Sequence, residues 1–180
     1  MSPPIKSLFL SFLLISTIVH EVKSQLPPPQ PNQTTIVLYL QDVAKGPSAT
    51  VTPVIGIKDK DWSYNTFGTI FVVDDPVTFG SSPNSALIGR AQGTLTVSSL
   101  DGANVNVVLS ILFTNSQYSG STIEIQGVSR QHESSRELSV VSGTGKFRYA
   151  RGFAVLETLF YDAPTGRSTI RLTITTNVQS

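Results

Sequence analysis

A handful of side-chain clusters in this 180-residue chain could do chemistry. Residues 142–152, SGTGKFRYARG, set three glycines beside Lys146, Arg148 and Arg151, the composition of a phosphate-cradling loop. A nucleotide P-loop needs G-x-x-x-x-G-K-[ST], with a hydroxyl for magnesium after the lysine. Counted from Gly145-Lys146, the first glycine position holds Val140 and the hydroxyl position Phe147, so the motif fails. The stretch reads instead as a tight connection between strands at Gly143 and Gly145, with a bend or bulge at Gly152. Asp74-Asp75 looks like half of a metal site, but no histidine accompanies it, and Pro76 makes it read as a turn capping backbone donors. His132 sits in the polar connection 130–135 and reads as a solvated loop residue, or as one that reaches a ligand from a loop over a barrel mouth. Asp42 is the most pointed case. In TIVLYLQDV it shares a strand face with Ile36, Leu38 and Leu40, and a carboxyl among aliphatics costs free energy unless it is paired.

These residues must be positioned by strands. From residue 35 onward the dominant period is two: TIVLYLQDV, GTIFVVDD up to a stop at Pro76, GTLTV, NVNVVLSILFT, STIEIQGV, RELSVV, GFAVLETLFY and STIRLTITTNV. Clusters of Gly, Pro, Asn, Asp or Ser separate them. No twelve-residue window repeats at 3.6, so crossover helices are not expected. The fold class predicted is all-β: an eight-stranded antiparallel barrel without substantial helix, whose interior has room for side chains and one small ligand. Both faces of the first strand are apolar, which predicts that the outer face is covered by another subunit.

Composition narrows the partners. Lys6 and the apolar run 8–19 read as a secretory signal cleaved after Ser24, so 1–24 is assigned to a signal peptide and 25–34 to a proline-rich leader without fixed structure. The domain is 35–180. Asn32 heads a glycosylation sequon in that leader. Removing the signal takes two of the 13 basic and one of the 12 acidic residues, leaving a nearly neutral chain. Neither a nucleic acid nor a membrane is therefore an expected partner. Without a single cysteine, thiol nucleophiles and zinc-thiolate sites are excluded.

FGTIFVVDDPVT, LIGRAQG, YSGSTIEIQG and RELSVVSGTGKFRYARGFAVLET stand in the order and spacing of the plant dirigent protein family, and the chain resembles that family from about residue 36 to 178. The resemblance implies an eight-stranded barrel like that of allene oxide cyclase (calycin-like), secretion to the apoplast and assembly into dimers or trimers. It implies no cofactor and no metal. The substrate would be a small phenolic or its radical, with a laccase or peroxidase as separate radical source and the barrel steering coniferyl-type phenoxy radicals to one enantiomer. Some relatives instead dehydrate or cyclise an isoflavanol through a quinone methide, and a non-catalytic cell-wall scaffold is the third possibility.

Residue by residue, the resemblance carries the pocket acid to Asp42 and the pocket arginine to Arg136. The histidine that precedes the acid in the family is Gln41 here, and a second family aspartate falls on Ser129. Leu95 and Val97 stand where radical-coupling members place tyrosines. Leu40, Leu95, Val97, Ser129 and Phe160 are the expected substrate-binding residues. Asp42 otherwise reads as a strand-end carboxylate, and Arg136 as a rim arginine bonded to Glu133 or Glu137. With Asp42 as the lone pocket carboxyl, acid catalysis of a symmetric double ring closure would be hard to support.

Overall fold

The computed structural model describes residues 33–177; the expected signal peptide, most of the leader and Asn32 lie outside the described residues. Alternation of β-branched and polar residues produces nine strands. They are β1 Gln33–Val43, β2 Val51–Ile55, β3 Ile70–Thr78, β4 Leu87–Val97, β5 Asn104–Phe113, β6 Thr122–Arg130, β7 Arg136–Gly143, β8 Gly152–Asp162 and β9 Arg167–Asn177. The ladder runs β1-β9-β8-β7-β6-β5-β4-β3, all antiparallel, and β1 pairs back onto β3. Eight strands thus close a barrel, as expected. The short β2 pairs only with β3, taking over that strand's edge where β1 leaves it. Five residues long and interrupted by Pro53, it carries too weak a pattern to be read in advance.

Parity decides what each strand buries. In β5, Val105, Val107, Leu109, Ile111 and Phe113 all face inward and are at most 5% exposed. The glycine-rich stretch seals one end. Gly145, at φ +58°, starts a single 3-10 turn that drives Phe147 into the barrel base. There its ring lies 5.4 Å from Phe113 and 4.9 Å from Tyr118, centroid to centroid. No bulge occurs at Gly152, which pairs in register with Thr176; a Cβ there would come within 1.9 Å of Thr175 O. The bulge in β8 lies instead between Thr158 and Phe160.

Pro76 does not stop its strand. β3 continues through it to Thr78, with Pro76 opposite Arg90 of β4. Asp74 donates its N–H to Thr50 O (2.8 Å), on the β1/β2 side. The two-residue repeat turns the nitrogen of Pro76 to that same side, where it has no hydrogen to offer. Only Tyr39–Thr78 and Leu40–Val77 pair between β1 and β3. Beyond them the seam opens.

Truncating the sealed end tests this account. Phe147→Ala should lower unfolding free energy in urea by about 3–5 kcal/mol. Tyr149→Asn, at a 71% exposed position with φ +64°, should change it by less than about 0.5 kcal/mol.

Candidate active site

The opposite end is open, and beneath it lies a cavity of about 540 Å³ to which every barrel strand contributes. That volume falls in the ordinary range for small-molecule sites, about 300–1,000 Å³. Its depth is aliphatic, with Val73, Val107, Leu109 and Leu156 among the walls. Its polar groups sit near the mouth: Asp42 at the end of β1, Arg136 at the start of β7, Thr158 and Tyr161 late in β8, and Ser168 early in β9.

Of the residues expected from sequence, Asp42, Arg136, Leu40, Leu95 and Ser129 all line this cavity. Val97 does not. It shares a face with Leu95, but the 66–69 segment covers it: Gly68 donates to Val97 O and Val97 N donates to Thr69 O, both at 2.9 Å, so it is fully buried. Phe160 does not line it either. The extra residue in the β8 bulge reverses parity, so Phe160 is 54% exposed on the outside and Tyr161 lines the cavity in its stead.

The larger correction concerns Asp75, which is no turn residue. It is 3% exposed in the middle of β3 and lines the cavity, so the pocket holds two buried carboxyls, while the Glu133 carboxyl at its rim is exposed and paired with Arg130. The parity that singles out Asp42 would have found it, because Phe71, Val73, Asp75 and Val77 share one face and Asp74 the other. Asp74 bonds Arg90 Nε (2.8 Å) and Gln92 Nε2 (3.0 Å) on the outer wall. In the continued register Asp75 would stand opposite Asp42, across the seam that Pro76 leaves unpaired.

Their surroundings set their protonation. Burial pushes Asp42 up from 3.8 to about 6, while the Ser168 hydroxyl, its neighbour in the ladder, pulls the other way. Asp75 rises to about 7, first through burial and then through the negative charge of Asp42; a 2.5 Å bond from Thr50 Oγ1 opposes the rise. One carboxyl therefore tends to keep a proton while the other gives its up. Arg136 donates to Thr158 Oγ1 (2.9 Å) and bonds neither Glu133 nor Glu137. Its Nε is buried without a partner, and burial lowers its affinity for its proton. Nor is it ion-paired with Asp42: among the described residues the ion pairs are Arg90–Asp74, Arg130–Glu133 and Arg171–Glu157.

Sequence reasoning also passes over Tyr64. This loop residue stacks on Phe71 at 4.2 Å and 6°, and burial and both aspartates push its phenol up, keeping it protonated. Gln131 holds its loop, donating from Nε2 to Tyr64 O (2.6 Å) and Gly102 O (2.7 Å). His132, one position on, is exposed and lines no part of the cavity. No group of three or more His, Asp or Glu among the described residues converges as a metal site would require. The constellation is two buried carboxyls of staggered acidity, a phenol, and a guanidinium whose buried Nε has no partner, set over an apolar chamber. It can move protons on an uncharged guest.

A family model described as "Dirigent-like protein" matches residues 33–177. Dirigent protein 23 of Arabidopsis thaliana is 34% identical over 142 residues, covering 79% of this chain and 76% of that protein. Pterocarpan synthase 1 of Glycyrrhiza echinata is 33% identical over 154 residues, covering 82% of each. The solved pterocarpan synthase dirigent protein PsPTS1 superposes with a TM-score of 0.77 at 31% identity, covering 84% of this chain and 99% of that one.

The carboxyl pair has a thermodynamic signature. Unfolded, both groups ionise near 3.8; folded, they keep protons to about 6 and about 7. Between those values the native state binds more protons, so this contribution is full below about 3.8 and drains away as pH rises toward 7. Each group contributes a slope of up to about 1.4 kcal/mol per pH unit. Asp75→Asn should flatten the fall and leave the variant more stable than wild type at pH 8 in urea titrations. An unchanged slope would place Asp75 in water.

Proposed function

The chain belongs to the dirigent family, and from that premise we propose that its barrel dehydrates and cyclises a neutral phenolic alcohol of the isoflavanol class through a quinone methide. The observation that carries this reading is the pairing of Asp42 and Asp75 in one apolar cavity, one poised to give a proton and the other to take one. Protonated Asp75 gives its proton to the benzylic hydroxyl, the C–O bond breaks and water leaves. Ionised Asp42 accepts the proton of the conjugated phenol, leaving a neutral quinone methide. A second phenolic oxygen of the guest then attacks the benzylic carbon. Its proton goes to Asp75, and Asp42 returns its own to the quinone oxygen. The net change is loss of one water, and no electron leaves the guest.

Arg136 Nε and the Tyr64 hydroxyl are donors suited to an oxygen on which charge grows. The aliphatic depth holds the ring, and the Tyr64–Phe71 stack gives it a flat wall. That two of the matched relatives are pterocarpan synthases supports this choice.

A second reading, stereoselective coupling of phenoxy radicals made by a laccase or peroxidase, gains from the same pair. Two carboxyls could each assist one half of a symmetric double closure, the point on which a lone Asp42 would fall short. In either reading we place the protein in the apoplast as a homo-oligomer; support comes from the apolar run 8–19 and from exposed outer-wall residues such as Val72, Val108 and Val128.

Purified protein given an isoflavanol without any oxidase should release a product lighter by one water. Turnover should peak near pH 6–7 and fall on both sides, as Asp42 gains a proton below and Asp75 loses one above. Asp42→Asn and Asp75→Asn should each cost roughly 10²–10⁴-fold in kcat. No turnover, together with enantiomeric excess from coniferyl alcohol plus laccase, would overturn dehydration in favour of radical coupling.

A further inference from the structure

Outside the barrel, where β1, β8 and β9 meet the connection between β3 and β4, lies a second hollow of about 500 Å³. Asp42 and Ser168 line both this hollow and the barrel cavity, so the two spaces share a wall. The bulge in β8 makes its apolar side by turning Leu159 and Phe160 outward, 47% and 54% exposed and next to each other. Pro83 faces the same space and Arg167 supplies a cation.

The hollow is preformed. Gln41, 8% exposed, gives its amide hydrogens to Thr78 Oγ1 (2.9 Å) and Ser81 O (3.3 Å), and its oxygen accepts from Thr169 Oγ1 (3.2 Å). These bonds tie the β3–β4 connection to β1 and β9 and use every hydrogen of the amide. Ser168 and Thr169 of β9 complete the lining beside Arg167. A slot with apolar sides, the hydroxyl-bearing residues Ser168 and Thr169 in its lining and a guanidinium able to lie over a π face fits a flat, neutral, hydroxylated ring.

We propose that this hollow is a second phenol subsite, which holds one hydroxylated aromatic ring against Leu159 and Phe160 and beside Arg167 while another guest occupies the barrel. The proposal rests on the reading of the barrel as a phenol site. It gives Phe160 a substrate-binding role, from outside the barrel.

Coniferyl alcohol titrated into the protein by calorimetry should bind twice per chain. The double variant Leu159→Ser/Phe160→Ser, changed only at exposed positions, should bind once, with the remaining affinity within about twofold of wild type. Nuclear Overhauser contacts from the bound ligand to the Phe160 ring should appear in wild type. One molecule per wild-type chain, or two retained by the double variant, would overturn the outer subsite and leave the barrel reading intact. No binding at all would overturn the outer subsite and the radical-coupling reading of the barrel, and leave isoflavanol dehydration to the turnover assay.

Discussion

Two carboxyl groups share one apolar barrel, and the rest of the site follows from the cost of keeping them there. A buried ionised carboxylate is unfavourable without a partner, and two close together are worse. The barrel offers neither a counter-ion. Arg136 is turned to Thr158, and the aspartate paired with Arg90 is Asp74, on the outer wall. The pair responds by holding protons into the neutral range. At neutral pH the fold gives up stability to keep two carboxyls in an apolar chamber.

The geometry that makes this possible starts at one proline. Pro76 lies within a barrel strand with its nitrogen facing β1, so the β1–β3 ladder ends after two pairs. A fully zipped seam would have carried hydrogen bonds where the barrel now has an opening lined by acids. β2 then recovers the edge of β3, and Thr50, just before it, bonds both the Val43 N–H and Asp75. At the other end Phe113, Tyr118 and Phe147 close the barrel with rings, which leaves one mouth for a guest.

How far the site could be read from sequence varies by residue, and each difference has a cause. Asp42 is legible because a carboxyl at the end of an apolar face breaks its own pattern. Asp75 carries the same mark, but Asp-Asp-Pro also spells a turn, and the turn reading hides it. Phe160 is misplaced by parity counted through a bulge that nothing local announces. Val97 has the right parity and is covered by a loop from elsewhere in the chain. Tyr64 lies in an irregular segment, where no period exists to count.

Strand alternation is a local property, since successive side chains on an extended backbone must point to opposite sides. The sequence by itself therefore determined the all-β class, the inner face of nearly every strand and, without cysteine, a core held by packing alone. Which inner faces meet was another matter. Register, bulge position and the closing pair of strands depend on contacts between segments far apart in the chain. Only the tertiary structure could bring Asp42 and Asp75 to two sides of one open seam, because only closure of the barrel makes β1 and β3 neighbours.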